Sequence, residues 1–414
     1  MHSLIFIISF LAVAGILIRP FHLPEAVWPV LGSIVLITFQ QISFRDGLNG
    51  ISKGLDVYLF LTGMMLLAET SREVRLFDWL AAHATNAAKG SPARLFLLIY
   101  LVGIVVTVFL SNDATAVVLT PAVAAAARAA KVKNPLPFLL ICAFIANAAS
   151  FVLPIANPAN LVIYGEHMPA LSQWLSLYLV PSVVSIIATY ILLKFTQRKQ
   201  LGTSIENKID VPELSPGGKT ALGGIGVAAI VLLIASALNL QLGLPTIIVG
   251  VTISGIVVLI SKQHPITIIK GVSWSVLPLV AGLFVIVEAL NKTPLIHDIT
   301  AMISTGAAHS ITLVTCGSGI GIALVCNVVN NLPAGLIAGN IVQSGHLPGI
   351  VKQAVLIGVD LGPNLSVTGS LATILWLVAL RRENLMCSAW QFLKIGAVVM
   401  GGALIATLGV LFFS

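Results

Sequence analysis

The chain has 414 residues, 57% of them hydrophobic and only 9% charged, with a net charge of +7 at pH 7. A soluble domain carries roughly 25% charged residues. This sequence therefore cannot coat a globular surface with charge and reads as an all-α polytopic membrane protein. The basic residues are scattered through short loops, the pattern of an inner-membrane protein obeying the positive-inside rule and not of a nucleic-acid binder.

The first apolar run, residues 4–18, lacks a basic leader and an A-x-A-like cleavage site, so it is expected to be a mature helix. Further spans are expected near 24–41, 55–71, 136–165, 172–194, 220–238, 245–261, 272–290, 353–379 and 392–412, each long enough for a bilayer that needs roughly 20 apolar residues. Spans 136–165 and 353–379 are interrupted by Pro, Gly and Asn. Regions 93–130 and 309–345 bend back at the polar centres "SNDAT" and "NVVNNLP" and are expected to be re-entrant hairpins. Segments 74–88 and 295–306 have mixed polarity and suit helices lying in the interface. The hydrophilic stretch 197–220 contains "PGGKT", but Glu213 stands where a Walker A loop needs Gly, so a plain loop is expected.

The halves echo each other. Glu69 falls over Glu288, Asn112 over Asn330, Asp113 over Asn331 and "NPAN" (157–160) over "SLAT" (370–373). The expected organisation is a first transmembrane repeat over 1–196, a cytoplasmic linker over 197–219 and a second, inverted repeat over 220–414. Each repeat holds about five spans, one re-entrant hairpin and a discontinuous helix, a recurrent design of secondary transporters. Lys and Arg give an independent reading. With the linker in the cytoplasm and both termini in the periplasm, only Arg45, Lys53, Lys292 and Lys352 of the 22 basic residues lie outside.

A hairpin that turns within the membrane leaves backbone N–H and C=O groups without partners, tolerated only against protein or a water-filled cavity. Asn112 and Asn330 can cap such tips and also contact a solute. Asp113 is harder to explain as a cap, because an intramembrane carboxylate costs roughly 2.5–3.5 kcal/mol on insertion scales. The interrupted spans add Asn157 and Asn160 in one half, and Asp360, Asn364, Ser366, Thr368, Ser370 and Thr373 in the other. If both tips and both breaks converge, they form one cavity lined by amides, hydroxyls and two carboxylates. The expected substrate-binding residues are Asn112, Thr115, Asn157, Asn160, Asn330, Asn331, Asn364, Thr368, Ser370 and Thr373. Asp113 and Asp360 are the expected proton carriers, with Glu69 and Glu288 as lesser candidates near span ends. Such a cavity suits a small polyhydroxylated or oxyanionic solute.

Cys142, Cys316, Cys326 and Cys387 show no metal-ligand spacing and read as small apolar residues. The eight His are dispersed, with His309 and His346 flanking the second hairpin. Neither HExxH nor GxSxG with a partner His is present, so no enzyme is expected, and no cofactor or structural metal.

"FLSNDATAVVLTPAV", "NNLPAGLIAG" and above all "GVDLGPNLSVTGSLATILWL" resemble the arsenite efflux permeases of the ArsB type, in the ion transporter superfamily with sodium/proton antiporters and dicarboxylate and citrate carriers. The resemblance runs from the first span to the C-terminus and is weakest in the central loop. It implies export of As(III) and antimonite as neutral hydroxides in exchange for protons, and a soluble arsenite-stimulated ATPase as a possible partner. It marks Asn112, Asp113, Asn330, Asn331, Asp360, Gly362, Pro363, Gly369 and Ser370 as motif positions. One departure is Asn147, where relatives often carry Asp, which leaves Asp113 or Asp360 to carry the proton. A sodium/proton antiporter or anion carrier of the same superfamily is the nearest alternative, and a passive channel a more distant one.

Overall fold

A computed structural model describes residues 2–18, 20–202, 205–344 and 347–413. Arg19 and His346 lie outside them. Among the described residues the chain is helical, without strands. In the first half, α1 (His2–Ile18), α2 (Val27–Thr38), α3 (Phe44–Lys53) and α4 (Leu55–Glu73) precede α5 (Leu76–Ala87) and α6 (Pro92–Phe109). The chain then turns back through α7 (Asn112–Ala114), a π-helical turn (Thr115–Leu119) and α8 (Thr120–Ala129). The half closes with α9 (Leu136–Ala148), α10 (Pro158–Tyr164) and α11 (Leu171–Gln197).

The second half presents the same order. It runs through α12 (Pro216–Ala237), α13 (Gly243–Ser261), α14 (Pro265–Gly271), α15 (Val276–Asn291), α16 (Pro294–His309) and α17 (Ile311–Val329). It ends with α18 (Asn331–Ser344), α19 (Gly349–Leu361), α20 (Leu371–Arg382) and α21 (Ala389–Val410). Its packing exchanges partners with the first half. α4 packs on α13, and α15, which follows α14 as α4 follows α3, packs on α2. Both crossings need a small residue. At Gly63 a Cβ would overlap the Thr246 carbonyl, and at Gly282 it would lie 2.7 Å from the Pro29 backbone. Close backbone approach at small residues is how helices pack where lipid gives no hydrophobic drive between them. Ser33 adds a bond at the second crossing, donating its hydroxyl to the Gly282 carbonyl at 2.9 Å.

Seven described helices are long and apolar enough to cross a membrane, or eight if the bent pair α3–α4, with its 47° break, is one span. Apolar side chains such as Ile187, Ile230, Leu259 and Ile405 are more than half exposed, which suits acyl chains.

Three expectations change. The first arms of both hairpins, α6 and α17, are apolar helices of 18 and 19 residues, each long enough to cross by itself. The expected spans at 4–19 and 24–41 and the first piece of 136–165 are shorter helices, below a full crossing length. "PGGKT" is not loop but the first turn of α12. Ser215 caps it by accepting from Gly218 N at 3.0 Å, and Pro216 sits where no N–H is needed.

Candidate functional site

The first tip is shaped by local chemistry. Ser111 ends the turn after α6 and accepts from Ala114 N at 3.2 Å, while Thr115 donates to the Ser111 carbonyl at 3.1 Å. The Thr107 and Thr115 hydroxyls meet at 2.8 Å and tie the two arms together. Asn112 turns its Oδ1 to the Asp113 N–H at 2.8 Å. The π-helical turn follows because Pro121 lacks an N–H for the carbonyl four residues back and its ring crowds that carbonyl.

The second tip is strapped to the second break. Asn330 takes a positive φ of 73°, accepts from Leu332 N at 3.3 Å and donates to the Thr368 carbonyl at 3.2 Å. Asn331 N donates to the Gly369 carbonyl at 2.8 Å. Asn327, the first residue of the polar centre "NVVNNLP" but not among the expected site residues, holds this break from inside. Its Nδ2 donates to the Gly362 carbonyl at 3.0 Å and its Oδ1 accepts from Ser366 at 2.7 Å. Asn327 lies in an otherwise apolar run of α17, one turn before the tip, and that isolated amide was the signal available. Ser370 caps α20, accepting from Thr373 N at 3.1 Å.

In the first break Asn157 caps α10, accepting from Ala159 N at 3.0 Å, and donates its Nδ2 to Asp360 Oδ1 at 2.7 Å. Asp360 is fully buried. Asn160 donates to the Ser150 carbonyl at 2.9 Å. Asn147 donates to Asn364 Oδ1 at 2.9 Å, and Asn364 passes its own amide hydrogen to the Phe144 carbonyl at 2.9 Å.

Four of the expected residues meet at one small cavity: Asn112, Asp113, Asn157 and Asn331. Its apolar wall is Leu61, Pro158, Val276, Leu332 and Leu371. It adjoins a second cavity that shares Asp113, Leu61, Pro158, Val276 and Leu371 and reaches Met64, Met65 and Glu69. Among the described residues, no Lys, Arg or His lines either cavity. Thr115, Asn160, Asn330, Asn364, Thr368, Ser370, Thr373 and Asp360 line neither. They hold the tips and breaks that shape the cavity. Glu288 lies elsewhere, beside a vestibule of about 1280 Å³. The apolar wall residues could not be told from their neighbours in sequence.

Cys142 and Cys326 are fully buried and line neither central cavity. Among the described residues no group of three His, Cys, Asp or Glu could hold a metal ion. The smaller cavity offers hydrogen bonding from amides beside one carboxylate, Asp113.

The family model described as citrate transporter (CitMHS) matches residues 6–359. Curated relatives include the arsenical pump membrane protein of Yersinia enterocolitica, 28% identical over 82% of both chains, and that of Escherichia coli, 26% identical over 82% of both. The resemblance to arsenite permeases read from the motifs is thus matched across most of the chain. The 46 kDa membrane protein of Mycobacterium leprae is 24% identical over 89% of both. Among solved structures, the YdaH transporter of Alcanivorax borkumensis shares the fold at a TM-score of 0.59 and 13% identity, covering 89% of this chain and 87% of that one.

Proposed function

The chain belongs to the citrate transporter (CitMHS) family, and from that premise we propose that it exports arsenite and antimonite from the cytoplasm in exchange for protons, by alternating access. The observation that carries this reading is the small cavity where the two tips and the first break meet, with three amides and Asp113 and no basic side chain. Arsenite is As(OH)₃ at neutral pH, and its hydroxyls both donate and accept. Amide side chains do the same. A citrate trianion would meet Asp113 without a countercharge, which disfavours citrate itself as the cargo. A soft As(III) centre would hold clustered thiolates tightly, so a site away from the cysteines suits a carrier that must release its load.

Asp113 lines the cavity and Asp360 touches a residue that does, so these two are the proton carriers proposed. A potential of 100 mV supplies about 2.3 kcal/mol per charge moved, enough for a gradient of about 40-fold in a neutral solute. The proposed organisation is two inverted repeats, 1–196 and 220–414. The linker 197–219 lies on the cytoplasmic side of the inner membrane and both termini lie in the periplasm. Binding of a soluble ATPase is a further possibility of the same reading.

The test is arsenite uptake into everted vesicles with and without a proton gradient. Uptake that needs the gradient is expected. Uptake driven only by a Na⁺ gradient would move the function to a sodium antiporter. Absence of saturable counterflow would leave a passive channel.

A further inference from the structure

Glu69 and Glu288 fall over one another between the halves, and the structure seats each on a short helix of the other half. The Glu69 carboxylate lies against Gly271, the last residue of α14, so closely that a Cβ there would overlap it. Glu288 lies against Gly50 of α3, where a Cβ would stand 3.3 Å from the Glu288 Cβ. Gly50 and Gly271 are themselves 221 residues apart, close to the 219 that separate the glutamates. The glutamate–glycine neighbourhood thus recurs with the halves exchanged, through the carboxylate at Gly271 and through the Cβ at Gly50, where the Phe284 carbonyl is nearer still.

The two contacts border different spaces. Arg72 Nε donates to Glu69 Oε2 at 2.9 Å, and Arg72 Nη2 donates to Glu69 Oε1. Glu69 faces the cavity that reaches Asp113. Arg72 faces a mouth of about 780 Å³ lined also by Arg75, Asp78, Arg128 and Glu383. Val118 of the hairpin borders both spaces. The ion pair is thus the partition between them. Glu288 in turn pairs with the half-exposed Lys53 at 2.7 Å and borders the vestibule of about 1280 Å³. The vestibule starts one helical turn beyond the central cavity, with Val57 after Leu61, Leu161 after Pro158 and Leu336 after Leu332.

We infer that Glu69 and Glu288 are the paired gates of the solute path, one for each membrane face, each closing its end by seating its carboxylate on the glycine of the opposite half's short helix. In the conformation seen here the Glu69 gate is shut by Arg72. At the other end Glu288 is drawn to Lys53 at the edge of a wide vestibule. The inference rests on the transporter reading but not on the identity of the solute.

The test uses a cysteine-free protein carrying Val117→Cys on the wall of the inner cavity, labelled by a membrane-impermeant maleimide in everted vesicles and in intact cells. Glu69→Gln weakens the charge-assisted pair with Arg72, and labelling at 117 should rise roughly tenfold on one membrane face only. Gly271→Ala displaces the carboxylate without altering its charge and should give the same one-sided rise. Glu288→Gln should leave labelling at 117 on that face unchanged. Unchanged labelling in both the Glu69 and Gly271 variants would overturn the assignment. So would an equal rise on both faces, or a rise with Glu288→Gln, since either reports general loosening. Labelling needs no solute, so failure here is separable from failure of arsenite transport in vesicles.

Discussion

Asn157 donates its Nδ2 to Asp360 Oδ1 at 2.7 Å, joining the break in one half of the chain to the carboxylate before the break in the other. Asn157 also lines the central cavity, so one amide links Asp360 to the cavity wall without Asp360 lining it.

Asp360→Asn should fold, because the new side chain can still present an oxygen to Asn157; a stability change of no more than about 1.5 kcal/mol is expected. Asp360→Leu leaves the Asn157 donor buried and unpaired and should cost about 1–3 kcal/mol. Thermal unfolding in detergent separates the two. In vesicles Asp360→Asn should weaken the response of arsenite uptake to a proton gradient if Asp360 carries the proton.

Asp113→Asn copies the residue that the second half carries at Asn331. It should fold and retain arsenite binding but lose proton-driven accumulation. Uptake at the wild-type rate and with the wild-type response to the gradient would remove Asp113 from the coupling role. Failure of the Asp360 variant alone would move that role to the second half.

Gly63→Ala and Gly282→Ala should destabilise by similar amounts, about 1–3 kcal/mol each, because each forces apart a backbone crossing between the halves. Gly226→Ala, with nothing within 4 Å of a new Cβ, should be neutral or stabilising in its helix. Unequal costs at Gly63 and Gly282 would show that the two crossings do not bear equal load.

Replacing Cys142, Cys316, Cys326 and Cys387 by Ser or Ala should leave arsenite transport largely intact, as neither of the two buried thiols reaches the central cavities. Loss of transport in a folded cysteine-free protein would point instead to a thiol relay through Cys142 and Cys326.

In that cysteine-free background, Gly202→Cys should be labelled by an impermeant maleimide in everted vesicles and not in intact cells, since the charge bias supports the proposed cytoplasmic side for the linker. Ser204→Cys gives the same test two residues on. Labelling in intact cells would invert the proposed orientation.

Much of this protein was determined by its sequence alone. Composition required a membrane protein, because 9% charged residues cannot solvate a globular surface. The polar pairs at 112–113 and 330–331 marked both tips, because an amide or carboxylate in an apolar run is costly unless it caps backbone or binds something. Only the tertiary structure decided which polar residues face the cavity and which hold it in shape. Thr115, Asn160, Asn364, Ser370 and Thr373 look like ligands in a one-dimensional reading, yet each is buried against a tip or a break. A hydrogen-bonding group reads the same in sequence whether its partner is backbone or solute. The exchange of contacts between halves was equally hidden. Gly63, Gly271 and Gly282 look like ordinary small residues until a helix some two hundred residues away is brought against them.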